Sequence, residues 1–278
     1  MLSSTEYQGV EGAFALSNGT VKIIVAGEFG PRILSYGFDG EDNVLGWHPD
    51  ARVDTELGEW RPYGGHRLWL APENMPTSYA PDNDKVEVIE QDGLSARVIG
   101  RPDAAGVQKQ MLVSLAPTGT EVTIDHTLTV SRPIEAAAWS LTIMAPGGTV
   151  VIPNEPHAPY SPEHLLPVRS MALWSYTDFT DPRWEFTPDA IRLKVAEALG
   201  HQQKIGVLNK QGWAGYEWND VVFAKQVQYV DATYPDFNSN FEFYTAGSFV
   251  EIETLSPLKQ LEAGESIEHT EVWSLAKR

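Results

Sequence analysis

The residues of this chain best placed to do chemistry are two carboxylates on one face of one strand. The run Phe249-Val250-Glu251-Ile252-Glu253-Thr254-Leu255-Ser256-Pro257 has the apolar, β-branched content of a buried strand. Strand side chains alternate faces, so Phe249, Glu251 and Glu253 share one face while Val250, Ile252 and Thr254 share the other. The two glutamates then stand roughly 6–7 Å apart, from a rise of about 3.3 Å per residue. A carboxylate is costly to bury without partners, so a covered face carrying two must line something polar. A cleft for a polyhydroxylated ligand meets that need; the plainer alternative is the solvent face of an edge strand. Two carboxylates also flank the scissile bond in glycosidases, although such pairs usually come from different strands.

Three other segments offer side chains for a polar ligand. In Tyr63-Gly64-Gly65-His66-Arg67-Leu68-Trp69-Leu70-Ala71-Pro72-Glu73 the glycines permit a sharp turn or a close approach. His66 can exchange a proton near neutral pH. Arg67 offers a rigid fork of donors, Trp69 a flat apolar plate, and Glu73 a further acceptor. Read plainly, the same segment is a turn, a core tryptophan and a solvated edge. In Gly27-Glu28-Phe29-Gly30-Pro31-Arg32-Ile33, Arg32 either points inward or is an ordinary surface arginine after a turn. In Tyr234-Pro235-Asp236-Phe237-Asn238-Ser239-Asn240, Asp236 and Asn240 either cap their own backbone or hold hydroxyls. His126 falls on the apolar face of Thr123–Val130 and reads as a hydrogen-bonded core histidine.

Other chemistries find no support. There is no nucleophile elbow and no phosphate loop. The histidines lack close metal-ligand spacing, acidic calcium loops are missing, and the chain has no cysteine, so neither a metal nor a cofactor is expected.

The elements that must position these groups are strands. Short β-rich segments recur between breaks such as SNGT, EQDG, APGG and EAGES, the pattern of a sandwich or barrel. Only Asp189 to Leu199 resembles a helix, and it also reads as strand followed by turn. Two stretches rich in proline and aromatics, about 47–81 and 145–188, look loop-like, and long irregular segments in compact domains are commonly functional. No linker is visible, so residues 1–278 are expected to form one domain.

The 278 residues carry a formal charge of −18 with 42% hydrophobic content. That content can build a sizeable core, and the charge disfavours nucleic acid and anionic membranes as partners. No segment has the length and apolarity of a membrane span, and the start lacks a signal-peptide pattern. A cytoplasmic location is expected, with a periplasmic or secreted one if a leader has been removed. Oligomeric state is not legible.

Together these segments resemble the galactose-mutarotase-like superfamily, the aldose 1-epimerases and their relatives, and more narrowly an uncharacterised bacterial branch of it. The tail is most similar: Glu253-Thr254, then Pro257, then Leu261-Glu262-Ala263-Gly264-Glu265, then His269-Thr270-Glu271-Val272-Trp273. NGTVKIIVAGEFGPRILSY resembles the family's opening, and GGHRLW is similar in position to a glycine pair that holds a catalytic histidine. The resemblance implies an all-β supersandwich of two large antiparallel sheets with a sugar cleft. It implies Glu253 as catalytic base and His66 as acid. Arg32, Arg67, Glu73, Asp236 and Glu251 would bind hydroxyls, and Trp69 and Trp139 would stack on the sugar. The family's second histidine has no counterpart, since Ala136-Ala137-Ala138-Trp139-Ser140-Leu141 carries Trp139 there. The implied function is binding of a mono- or oligosaccharide, with interconversion of anomers. The alternatives are a binding or sensing module without the chemistry and, further off, a glycoside hydrolase or lyase.

Overall fold

A computed structural model describes residues 2–278 of the chain. Its strands gather into an 11-stranded and a 10-stranded sheet, with two short two-stranded ribbons beside them. The pairings that build the centre of each sheet are antiparallel, as the family resemblance implies.

The larger sheet carries the elements that matter for function. Across its middle run Ile33–Phe38, His66–Ala71, Ile134–Met144, Phe249–Leu255, Phe241–Ala246 and Gln202–Val207, in that order. Strands distant in sequence thus lie side by side. The smaller sheet centres on Val107–Leu115, Val122–Val130, Ser266–Lys277 and Val221–Gln226. Val107–Leu115 and Val122–Val130 each alternate buried and half-buried residues along their full length, the signature of one face packed and one face wetted.

The main core is the layer between the sheets. Ile23, Tyr36, Leu68, Met111, Ile124, Ile252 and Trp273 are among its members, all essentially solvent-free. Each fully buried large apolar side chain stabilises the fold by about 1.5–3 kcal/mol, so this layer holds the sheets together. A second apolar cluster lies on the other face of the larger sheet, built from Trp60, Trp69, Ala71, Ala137, Trp139, Leu141 and Leu255.

Of the two readings open for Asp189–Leu199, the structure has the strand Ala190–Lys194 followed by a turn and not the helix. One expectation is corrected. The stretch around 47–81 is not wholly loop, because His66–Ala71 is a central strand. All six of its residues are buried, so it shows none of the alternation by which a half-exposed strand is recognised. Gly65 locks its entry. It has φ +64°, and a Cβ there would sit 2.0 Å from the Ile33 carbonyl oxygen. Its N–H donates to Gly46 O at 2.8 Å and its carbonyl accepts from Ile143 N at 2.9 Å.

Candidate functional site

Strand alternation decides which side chains meet on the outer face of the larger sheet. Arg67 and Trp69, Trp139, Leu141 and Ile143, Glu251 and Glu253, Glu242 and Tyr244, and Gln202 and Lys204 all fall on that face. Register then sets rows across the strands. Arg67 stands opposite Leu141, Leu141 opposite Glu253, and Glu253 opposite Glu242. Trp69 stands opposite Trp139, and Glu251 opposite Tyr244.

Loops from the two aromatic-rich stretches cover this face and enclose a cleft. Its larger chamber has a volume of about 540 Å³ and is walled mainly by Trp60, Trp69, Tyr79, Trp139, Tyr176, Tyr244 and Phe249. His48, Arg67, Glu73, Lys204 and Glu251 supply its polar groups. A smaller chamber of about 340 Å³ adjoins it, bordered by Met75, Trp174, Asp236 and Glu242 and sharing Glu73, Tyr79, Trp139 and Lys204 with the first.

The buried charges are paired inside the site. Arg67 Nη2 donates to Glu251 Oε1 at 2.9 Å, and its guanidinium lies 4.5 Å from the Trp69 ring centre and 5.4 Å from that of Trp60. Lys204 Nζ sits 2.7 Å from Glu242 Oε2 and 3.1 Å from Glu253 Oε2, and 4.8 and 4.7 Å from the ring centres of Trp139 and Trp174. Burial opposes the Lys204 charge, but Glu253 and Glu242 outweigh it and hold its pKa well above the usual lysine range. Burial raises both glutamates, with Lys204 pulling each back. Trp139 Nε1 also donates to Glu253 Oε2 at 2.8 Å. Glu253 therefore has two donors at one oxygen, whereas Glu242 has Lys204 alone.

Several donors and acceptors are left over. Arg67 Nε and Nη1, Trp69 Nε1, His48 Nε2, Glu253 Oε1 and both carboxyl oxygens of Glu242 are buried without a hydrogen-bond partner among the described residues. Unsatisfied buried polar atoms in such number are unusual in a native interior. Burial lowers the pKa of His48, against the pull of Glu251.

Of the sequence-predicted site residues, Arg67, Trp69, Glu73, Trp139 and Glu251 line the larger chamber, and Asp236 lines the smaller. Glu253 lies at the floor, fully buried behind Lys204 and Trp139. Two predicted residues are elsewhere. Arg32 does turn inward, but its fork closes on Asp82 at 2.9 and 3.1 Å and on Pro62 O at 2.9 Å, so it braces a loop and does not border either chamber.

His66 faces the opposite way from Arg67 because neighbouring strand residues alternate, which puts it in the core between the sheets. There Nδ1 meets Thr142 Oγ1 at 2.8 Å and Nε2 meets His126 Nε2 at 2.7 Å. The pairing of an acid at His66 with a base on the Glu253 face is therefore not what the fold presents. His126 is the hydrogen-bonded core histidine that the sequence predicts, its Nδ1 donating to His269 O at 2.8 Å.

This interior cluster also brings together what spacing along the chain kept apart. Donor atoms of His66, His126 and Glu271 all lie within 4.8 Å of one another, close enough to hold an ion. The network closes without one. Thr142 donates to His66, His66 to His126, and His126 to the His269 carbonyl, a tautomer assignment drawn from the hydrogen bonds themselves. Glu271 is matched by Lys225 at 2.9 Å and by Trp273 Nε1 at 2.9 Å, and it accepts from Ser140 and Thr254. Burial works against the Glu271 charge, yet Lys225 and the surrounding imidazoles hold its pKa well below the usual range.

Sequence reasoning missed Lys204, His48, Trp60, Tyr79, Tyr176 and Tyr244. A faint signal existed for Lys204, which shares a strand face with Gln202 in an otherwise buried strand. The aromatics were visible only as the density of rings in two loops.

Comparison with solved structures decides the architecture. A galactose mutarotase-like protein from Lactobacillus casei superposes with a TM-score of 0.57 at 10% identity, covering 95% of this chain and 100% of that one. The chain has the galactose mutarotase-like fold. A second galactose mutarotase-like protein, from Clostridium acetobutylicum, gives 0.52 at 10% identity over 100% and 99% of the two chains. YeaD of Salmonella typhimurium, a candidate mutarotase, gives 0.62 at 13% identity over 100% and 94%. No protein-family model matches the chain, and no curated protein matches it by sequence. At such identities the galactose mutarotase-like likeness is one of fold, and the chemistry must be argued from the cleft.

Proposed function

We propose that this is a carbohydrate-binding protein that holds an uncharged sugar in the larger chamber. The observation that carries this reading is the combination of aromatic walls with charges already paired among themselves. Trp69 and Trp139 offer apolar plates to the C–H faces of a pyranose. Arg67 Nε and Nη1, Trp69 Nε1 and His48 Nε2 offer unspent polar atoms to its hydroxyls. Pockets of this kind, apolar with a few convergent polar groups, are the usual form of small-molecule sites. An anionic sugar would meet carboxylates with no free cation to balance it.

A second reading, interconversion of anomers, is favoured by one observation: the walls of the larger chamber carry an imidazole, His48, and a carboxylate, Glu251. Ring opening removes the proton on O1 as C1=O1 forms, and returns a proton to O5 as the C1–O5 bond breaks. His48 and Glu251 replace the His66–Glu253 pair in this reading, with Glu253 held back as the partner of Lys204.

NMR separates the two. Titration of glucose, galactose and mannose is expected to shift the cleft resonances saturably. Exchange between α and β signals that speeds up with protein, and slows again in His48→Gln and Glu251→Gln, would establish the enzyme. Binding with no acceleration would leave the binding protein, and an absence of both would remove both readings.

A further inference from the structure

We infer that the smaller chamber is a second saccharide subsite, so that the ligand is an uncharged oligosaccharide of at least two units. This deepens the reading that the larger chamber binds a sugar and rests on it.

The two chambers share Glu73, Tyr79, Trp139 and Lys204 as common border, so a glycan chain can pass from one to the other along continuous walls. At about 340 Å³ the smaller chamber falls within the range of ordinary small-molecule pockets. It has its own aromatic plate, Trp174, whose ring centre lies 4.7 Å from Lys204 Nζ and which does not border the larger chamber. It also has a built polar floor. Glu242 is 0% exposed, lines this chamber and not the larger one, and its Oε1 has no hydrogen-bond partner among the described residues. A buried carboxyl oxygen aimed into a cavity wants a donor, and a sugar hydroxyl is one. Burial pushes the Glu242 pKa up, against the pull of Lys204, and in either charge state its free oxygen accepts from a hydroxyl.

The charge pattern narrows the ligand. Three carboxyl groups, Glu73, Asp236 and Glu242, face this chamber against the single ammonium of Lys204, and that ammonium is already held by Glu242 and Glu253. A phosphate or uronate would find no free cation here. Hydroxyls suit the site, since carboxylates accept from them without a change in charge.

Calorimetric titration of the intact protein tests the inference. The probes are glucose, galactose and mannose, and the disaccharides cellobiose, maltose, lactose and mannobiose. At least one disaccharide is expected to bind at least about tenfold more tightly than its own monosaccharide. Trp174→Ala and the milder Asp236→Asn are expected to remove most of that gain while weakening the monosaccharide far less. Tyr176→Ala, from the larger chamber, should weaken both ligands alike. Equal affinity for mono- and disaccharides, or equal losses for both in Trp174→Ala, would overturn the second subsite while leaving sugar binding in place. If none of the seven sugars binds the folded protein, the carbohydrate reading itself falls, and the subsite with it.

Discussion

At the scale of single residues, Lys204 is the group on which the cleft's electrostatics turn. It is the cation shared by Glu253 and Glu242, both solvent-free. Replacing it with methionine leaves two carboxylates buried without that cation. Breaking a buried ion pair by removing one partner costs about 3–5 kcal/mol, so urea denaturation of Lys204→Met near pH 8 is expected to show a loss of about that size. The sign of its pH dependence follows. Without the lysine both carboxyl pKa values in the folded state rise further above their unfolded values, so the variant regains stability as pH falls and the carboxyls protonate. Adding Glu253→Gln to Lys204→Met should recover part of the loss. A double variant no more stable than the single one would mean that Lys204 acts through packing between Trp139 and Trp174 instead.

At the scale of elements, the entry of the His66–Ala71 strand decides which face each of its side chains takes. A slip of one residue in a strand exchanges its two faces. Here that would put His66 in the cleft and Arg67 in the core. Gly65 opposes the slip that would bring His66 to its place, because its left-handed backbone and its contact with Ile33 O admit no side chain. Gly65→Ala is expected to destabilise the protein by about 1–3 kcal/mol from backbone strain alone, and by more from the clash. Thermal unfolding monitored by tryptophan fluorescence would measure this. An unchanged melting temperature would show that the turn is not what holds the register.

At the scale of the whole molecule, a polar cluster sits where two sheets would otherwise meet through apolar side chains alone. His66, His126 and His269 are buried between them, and burial lowers the pKa of all three, His269 to about 3. Each takes up a proton more readily in the unfolded chain, near about pH 6.5, than in the folded one. The unfolded state therefore holds more protons, and stability falls as pH drops from about 6.5. Glu271, whose folded pKa is depressed, adds to the fall below about pH 4.3. Glu242 and Glu253, whose folded pKa values are raised, act the other way, but they are two groups against three histidines. Denaturant titrations at pH 7 and pH 5 are expected to differ by on the order of 2 kcal/mol, with the protein weaker at pH 5. His126→Gln should flatten that dependence by about one proton. A protein equally stable at both pH values would show that the cluster titrates together with the unfolded chain.

The sequence by itself determined the strand-rich architecture and the shared face of Glu251 and Glu253. Both follow from local rules, since turn residues punctuate the chain and side chains alternate along any strand. The same alternation puts Arg67 and Trp69 on one face and His66 on the other, but only once His66–Ala71 is seen to be a strand, and its fully buried residues hid that from the sequence. Only the tertiary structure decided what that face meets. Glu253 receives Lys204 and Trp139 from strands 49 and 114 residues away in sequence, and His66 receives His126 from 60 residues away. Such neighbours are set by the order of strands in a sheet, and strand order depends on long-range packing that no local pattern records. The loops that roof the cleft belong to the same class. Their rings were visible in the sequence, but the direction in which they fold depends on the sheet beneath them.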